Sequence, residues 1–417
     1  MDTIHAESTP PGRGGITVVR VSGDRARVVA EDLAGALPAA RFSYLRALRD
    51  GDRLIDRALV VRFNAGASFT GEDVVEFHLH GAPIVSRLLQ AALLARGSRL
   101  ALPGEFTQRG FLNGKLDLSE AEALSDLLAA ETESQHRLAM QVADGALHDW
   151  AASLRALLVR AGALVAASID FADEDVPDAV PAEVFESLRT VRARIDEQLD
   201  GFPAAERMRV GFEVALIGPP NAGKSSLLNA IARRDVALVT EIAGTTRDVI
   251  ELRADLRGLS VTFLDTAGLR ETEDVVERMG VARASERAAA ADLRIHLSDE
   301  GSAVDALLRD GDLVVRSKAD LRTGDVSARS GEGVAALLDR VYDTLRDRAA
   351  PAGIVSRQRQ ADALRQARAV LELTLATPPE IIADAIAMTT RALREVVGEV
   401  GVEDYLDEVF SSFCIGK

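Results

Sequence analysis

The chain is short of aromatic residues and almost without cysteine. Phe, Trp and Tyr make up only 4% of its residues, so the cores must be packed from the aliphatic side chains that bring the hydrophobic share to 47%. An Ala-, Leu- and Val-based core leans towards helices. A single cysteine, Cys414, excludes an internal disulfide framework and suits a reducing compartment, with cytoplasm as the plain reading. No run of about 18 uncharged apolar residues occurs, so no membrane span is expected. The opening MDTIHAESTPPGRGG lacks the basic-then-apolar order of a signal peptide. Positive charge is short too: 49 Lys and Arg face 65 Asp and Glu, a formal net charge of −16. That excludes a general nucleic-acid binder, whose phosphate contacts need clustered Lys and Arg. Any action on RNA then needs a local basic patch or a basic partner.

With 417 residues, two or three domains are expected. Over residues 1–116, ITVVRVSG (16–23), ALVVRFN (58–64) and DVVEFHLHG (73–81) read as strands, and PIVSRLLQAALLARG (83–97) as a helix ending at Gly97. In VVEFHLH, Val75, Phe77 and Leu79 share one face, and Glu76, His78 and His80 the other, which reads first as an exposed polar face. A Glu/His/His metal site fits that spacing but has no further support. Arg20 interrupts an apolar strand, as an edge or solvent position would explain. Residues 117–209 turn helical. Ser119 with Glu122 makes a capping-box signature, and Leu138, Val142, Leu154, Leu157, Leu158, Leu164, Val165 and Ile169 recur at helical spacing. FADEDVPDAVP (171–181) breaks the run, and a further helix covers about 182–200. Helical texture returns over 349–417. Between the two helical regions, residues 210–348 alternate strand and helix. The economical architecture is a multidomain α/β and α+β chain: a small α+β domain, then a helical domain with an α/β domain inserted into it.

The inserted region carries the chemistry. EVALIG (213–218) reads as a buried parallel strand leading into Gly218-Pro-Pro-Asn-Ala-Gly223-Lys224-Ser225, the pattern GxxxxGK[ST], and then into a helix. Glycines let backbone N–H groups wrap phosphates, and the helix N-terminus adds a favourable dipole. Lys224 would neutralise β- and γ-phosphate oxygens and the Ser225 hydroxyl would ligate Mg²⁺. The other elements follow in register. Thr245-Thr246 lie in the polar segment EIAGTTRD, Thr246 as a second Mg²⁺ ligand. A hairpin around Arg257-Gly258 carries LSVTFLDTAG, which puts Asp265 and Gly268 (DxxG) at a strand end. DLVVRSKAD (312–320) ends in Ser317-Lys318-Ala319-Asp320. There Asp320 would accept hydrogen bonds from guanine N1–H and N2–H₂, which adenine lacks, and Ser327-Ala328 would touch guanine O6. Together they predict a P-loop GTPase of Ras-like α/β fold.

Two departures stand out. Ser317 occupies a position usually held by Asn, with shorter reach to the base and P-loop. The strand ADLRIHLS (291–298) is unusually polar; its His296 reads as structural or exposed rather than catalytic. Catalysis poses a further question, because the residue after DxxG is Leu269, which cannot orient water as a Gln does. Arg247, Arg270 and the acidic run from Glu271 to Glu277 are the alternatives nearby, with a solvated helix face as the ordinary reading of that run.

With these residues in hand, the chain resembles the MnmE (TrmE) family of tRNA-modification GTPases. TPPGRGGITVVRVSG, SFTGEDVVEFHLHG, PGEFTQRGFLNGKLDLSEAEALSDL, NAGKSSLLNA, EIAGTTRD, DTAGLRETEDVVERMG and FSSFCIGK are similar to family motifs, in the family's order and across essentially the whole chain. The resemblance implies a GTPase working with the FAD-dependent protein MnmG to modify carbon 5 of the wobble uridine (position 34) of certain tRNAs. It implies a K⁺ ion held by Asn221 with Thr240, Ile242 and Thr245, and Glu277 as the catalytic, water-positioning acid. It implies a homodimer, a heterotetramer with the partner, and tRNA held mainly through that complex. It also implies 5-formyl-tetrahydrofolate or a related folate at Arg20, Glu76, Lys115 and Lys417, with Cys414 nearby as a packing or a chemical group.

The nucleotide-binding set so implied is Asn221, Ala222, Gly223, Lys224, Ser225 and Ser226; Thr240, Glu241, Ile242, Ala243, Gly244, Thr245 and Thr246; Asp265, Thr266, Ala267 and Gly268; and Ser317, Lys318, Ala319, Asp320, Ser327, Ala328 and Arg329. A ribosome-assembly GTPase would share the G domain but not the N-terminal segment or FCIGK. A folate-dependent one-carbon enzyme with a regulatory G domain would not need Lys224, Ser225 and Asp265 intact.

Overall fold

The computed structural model describes residues 2–170, 180–234, 236–238, 251–265 and 286–398, together with positions 410, 413 and 416. The chain forms two compact units, Met1–Ser125 with Val397–Lys417, and Asp126–Val396.

The first unit is built on a six-stranded sheet, ordered β3-β4-β5-β2-β1-β6. Its strands are β1 (Ile4–Glu7), β2 (Ile16–Ser22), β3 (Tyr44–Asp50), β4 (Arg53–Phe63), β5 (Val74–His80) and β6 (Arg99–Leu100). The expected alternation in β5 holds: Val75, Phe77 and Leu79 are buried, while Glu76 and His78 are half-buried and His80 is exposed. The buried face packs with α1 (Ala26–Ala34) and α2 (Pro83–Ala95) through Val19, Val21, Leu33, Leu89 and Leu93. Beyond α3 (Glu105–Leu112), helix α4 (Leu118–Ala129) begins with a capping box, but not the expected one. Asp117 Oδ1 accepts from the Glu120 backbone N–H and Glu120 Oε2 accepts from the Asp117 N–H, each at 2.8 Å. The box lies two residues earlier than Ser119 and Glu122, because a carboxylate is the stronger acceptor and Ser119 instead donates to it at 2.7 Å.

Phe410, Phe413 and Gly416 are held in this unit. Phe410 and Phe413 are buried with Ala121, against Phe111 and Leu124. Ser8 Oγ donates to Gly416 O at 3.1 Å. Fit is close enough that a Cβ on Gly104 would lie 2.3 Å from Phe410 O.

The second unit joins helices to a five-stranded sheet. Helices α5 (Glu133–Ala143), α6 (Ala146–Asp170) and α7 (Ala182–Val210) precede it, and α9 (Val334–Ala349), α10 (Gln358–Val370) and α11 (Pro379–Val397) follow. α7 extends well past the expected end near residue 200, carrying Pro203 inside it. The stretch 146–169 of α6 is long and apolar enough to cross a membrane by length and composition alone. It is interrupted by Arg155 and Arg160, and its stripe of Leu147, Ala151, Leu154, Leu158, Ala161 and Val165 is buried, with α6 packed on α7 and α5.

The sheet is ordered β11-β10-β7-β9-β8. Strands β7 (Phe212–Ile217), β9 (Leu259–Asp265), β10 (Leu293–Ser298) and β11 (Leu313–Arg316) run parallel, and β8 (Glu251–Leu256) pairs antiparallel with β9. Parallel strands buried on both faces read as near-continuous apolar runs, as β7 does. The β8–β9 connection is a two-residue turn in which Arg257 (φ 53) and Gly258 (φ 93) both take positive φ, the mirror-image type whose twist suits a hairpin. Helix α8 (Lys224–Ala232) follows β7 directly.

Candidate functional site

In a sheet of parallel strands, ligands bind beyond the carboxyl ends. β7, β9, β10 and β11 all point their carboxyl ends to one edge, and the expected nucleotide residues of the P-loop, of Asp265 and of the loop after β11 stand there. The loop after β7 carries Gly218 (φ 159), Asn221 (φ 64) and Gly223 (φ 97), the last being the residue before α8. At Gly218 a Cβ would lie 2.0 Å from Leu297 O of β10, so no other residue fits between the two strands. Lys224 Nζ donates to Gly218 O at 2.7 Å and Pro219 O at 3.1 Å, folding its ammonium back over the loop. Burial pulls this lysine below its ordinary value, opposed by the charge of Asp265. Ser225 Oγ donates to Asp265 Oδ2 at 2.5 Å, so the ends of α8 and β9 bring a hydroxyl and a carboxylate together. This oxygen pair beside Lys224 fits a magnesium–phosphate group: hard oxygen donors for the cation, an ammonium and free helix N–H groups for the anion.

The base loop follows β11. Asp320 Oδ1 accepts from Ser327 Oγ at 2.7 Å, bringing together two segments expected to read one base. Ser327 is fully buried, and its hydroxyl also accepts the Ser330 N–H at 3.1 Å. Ser317 N donates to Ser298 O at 2.9 Å, extending the β10–β11 pairing into this loop. Asp299, the residue just after β10, was not singled out in the sequence. It accepts Lys318 Nζ at 2.9 Å, Ser317 Oγ at 3.1 Å and a guanidinium N–H of Arg322. Its carboxyl is held below the ordinary value, first by Lys318 and then by Ser317, against the opposing pull of desolvation. Its place at a strand end was the only local signal, since Lys318 lies on another strand's loop.

The polar strand β10 is buried. Arg294 and His296 side chains are 3% and 0% exposed, and the side chain of Asp312, just before β11, is buried against both. Arg294 Nε donates to Asp312 Oδ2 at 2.8 Å and Nη1 to Ala289 O and Ala291 O. Val304 N–H donates to His296 Nδ1 at 3.1 Å, which leaves the ring proton on Nε2, facing Asp312 Oδ2 at 3.4 Å. His296 is therefore structural, in a network whose acid sits sixteen residues away.

In the first unit, Arg20 is not at an edge: β2 lies between β5 and β1. Arg20 and Glu76 are direct cross-strand partners, and Nε donates to Oε1 at 3.0 Å. The guanidinium stands 5.7 Å from the ring centres of both Phe69 and Phe106, within cation–π range. His78 Nε2 lies 3.6 Å from Glu76 Oε2. Among the described residues no group of His, Cys, Asp and Glu forms a metal cage, so the Glu/His/His spacing is not a metal site here. Lys115 Nζ donates to Gly66 O. Thr240 to Thr246, Thr266, Ala267, Gly268, Glu277, Cys414 and Lys417 lie outside the described residues.

The fold and this edge define a P-loop GTPase domain joined to a helical region. The sequence matches the family models described as MnmE helical domain over residues 118–414 and GTP-binding protein TrmE N-terminus over residues 3–115. It is 60% identical over 420 residues to the tRNA modification GTPase MnmE of Paracoccus denitrificans, covering 100% of both chains. Relatives of the same name from Cereibacter sphaeroides and Ruegeria pomeroyi are 48% and 49% identical, again over 100% of both chains. Among solved structures, Era of Aquifex aeolicus bound to GDP and AlF4⁻ is 22% identical, with 40% of this chain and 69% of that chain covered and a TM-score of 0.26. The chain belongs to the MnmE family.

Proposed function

We propose that this protein hydrolyses GTP as part of tRNA modification, acting on the wobble uridine together with a flavoprotein partner. Residues Asn221 to Ser226 hold the β- and γ-phosphates through backbone N–H groups and the Lys224 ammonium. Ser225 and Thr246 would hold Mg²⁺, with Asp265 behind them; when bound, the ion neutralises charge on the phosphate oxygens. Asp320 reads the guanine edge, Lys318 lies along the base, and Ser327 to Arg329 close over O6. Asn221, with oxygens of Thr240, Ile242 and Thr245, would hold K⁺, whose charge offsets what builds up between the phosphates. Glu277 orients the attacking water in the place that Leu269 cannot fill.

The first unit would take 5-formyl-tetrahydrofolate or a related folate as one-carbon donor, with Arg20 and Glu76 facing it and Lys115 and Lys417 at its margin. Two copies of the chain form the working dimer in the cytoplasm, and the net charge of −16 supports a partner that supplies most tRNA phosphate contacts.

The observation that carries the GTPase reading is the gathering of the Ser225–Asp265 and Asp320–Ser327 pairs on one sheet edge. Its test is Asp320→Asn, which should weaken GTP binding by about 2–5 kcal/mol, as for a truncated buried charge pair, and shift preference to xanthosine nucleotides. Normal GTP affinity in that variant would remove the base site. For the tRNA role, nucleosides from tRNA of a strain lacking this protein should lose the wobble-uridine modification, and unchanged nucleosides would refute it.

A further inference from the structure

The base loop departs from the usual GTPase pattern at Ser317, whose side chain is shorter than Asn. That residue is 4% exposed, and what stands beside it is Asp299. One carboxylate gathers Ser317 Oγ at 3.1 Å, Lys318 Nζ at 2.9 Å and the Arg322 guanidinium, and so ties the loop after β11 to the end of β10. The tie is placed where the loop needs one. Lys318 sits at φ 61, a left-handed conformation that a residue with a side chain enters at a cost. On the other side the loop has no slack, since a Cβ on Gly324 would lie 3.0 Å from Ser317 O and from Ala319 N and Cα. The backbone bond from Ser317 N to Ser298 O holds the loop's root at 2.9 Å, but nothing in it fixes the Lys318 side chain.

We propose that Asp299 is a positioning residue for the guanine base, bracing Ser317 and Lys318 from the neighbouring strand in place of the reach that a longer residue at 317 would give. The inference rests on the base site proposed above. Asp299 does not touch the base; it acts through the two residues it holds. Lys224, Ser225 and Asp265 stand on α8 and β9, apart from this tie, so the phosphate chemistry does not depend on it.

The test uses the full chain and a fluorescent GDP and GTP, with Asp299→Ala, Asp299→Asn, Ser317→Asn and the double variant. Asp299→Ala should release both nucleotides about tenfold faster and raise KM about tenfold, the scale of lost charged hydrogen bonds, with kcat within about twofold of the parent. Asp299→Asn keeps an acceptor for Ser317 without the charge for Lys318, and should fall between. Adding Ser317→Asn to Asp299→Ala should recover most of the loss. Unchanged or slower release in Asp299→Ala overturns the proposal, the second outcome meaning that Asp299 draws Lys318 away from the base. A loss that Ser317→Asn does not recover, with a lowered melting temperature, overturns it in favour of general support of the fold. Asp320→Asn measured alongside separates the two levels. If that variant binds GTP normally, the base site itself fails; if it weakens GTP while Asp299→Ala does not, only the present inference fails.

Discussion

Replacing Asp312 by Ala would strip the counter-charge from Arg294 inside the second unit's sheet. The guanidinium would keep Ala289 O at 3.1 Å and Ala291 O at 3.0 Å, while its Nε, the His296 Nε2–H and the backbone N–H groups of Arg294 and Arg309 would lose their acceptor. Leaving one member of a buried ion pair behind costs about 3–5 kcal/mol. For a cooperative unit of this size each kcal/mol moves the midpoint by roughly 2–4 °C, so calorimetry should show the transition falling by roughly 6–20 °C. Replacing both charges, as Arg294→Met with Asp312→Leu, removes the orphan and should land within about 1–2 kcal/mol of the parent. The pH dependence gives an independent reading. Burial raises the Asp312 carboxyl, but the Arg294 side chain and the backbone N–H groups of Arg309 and Arg294 outweigh it and hold it below the ordinary value. A folded value below the unfolded one means that this stability is complete above about pH 4 and is lost as the pH falls through the folded value. That acid slope should disappear in Asp312→Ala. A variant melting within roughly 2 °C of the parent would refute the reasoning, since it would mean that Arg294 is satisfied by its carbonyls alone.

Three further outcomes are expected. His5 is fully buried, and burial lowers its pKa to about 4. Its folded value lies below its unfolded one, so stability should be full above about pH 6.5 and fall by at most about 3 kcal/mol on acidification towards pH 4. Denaturant unfolding at several pH values should show that slope, and His5→Phe should flatten it; a slope unchanged in the variant would mean that other groups carry it. GTP turnover should rise strongly when K⁺ replaces Na⁺, Asn221→Ala should abolish the difference, and Glu277→Ala should lower kcat by about 10²-fold or more with affinity kept; equal rates in the two salts would remove the cation from the mechanism. Calorimetry with 5-formyl-tetrahydrofolate should show weaker binding in Arg20→Ala and Glu76→Ala, and absence of binding to the parent protein would end the folate reading.

What the sequence disclosed follows the range of the interactions. The Gly218–Ser225 loop, the β7 strand and the alternation in β5 are encoded within a few residues, and each stands where its spacing predicts. Asp320 and Ser327, seven residues apart and both expected at the base, stand within hydrogen-bond distance of each other. Errors came where local signals compete. Asp117 with Glu120 and Ser119 with Glu122 compete to open α4, and the carboxylate at Asp117 wins; the helix expected over about 182–200 runs on through Gly201 and Pro203 to Val210. A Cβ on Gly201 would lie 2.5 Å from Pro351 O, so packing against a segment 150 residues on makes glycine fit there. The partners of Arg294 and Lys318 were invisible for a related reason: Asp312 and Asp299 reach them only across the β10–β11 pairing. A buried charge announces that an acid is needed, but not which one.

The burial of Phe410 and Phe413 in the first unit, with Gly416 bonded to Ser8, bears on how the protein is made. Phe111 and Leu124 are synthesised early, while the Phe410 and Phe413 rings that pack beside them come only after the whole of Asp126–Val396 has been translated. At about 5–20 residues per second, that interval is on the order of 15–55 s. During it the N-terminal sheet can pair its strands, but the aromatic seam on α3 and α4 stays open on a ribosome-bound chain. The second unit, contiguous in sequence, can close without waiting. The protein thus completes its middle before its beginning, and residues 1–125 are the part with apolar surface to shield from neighbouring nascent chains until Phe410 and Phe413 have left the ribosome.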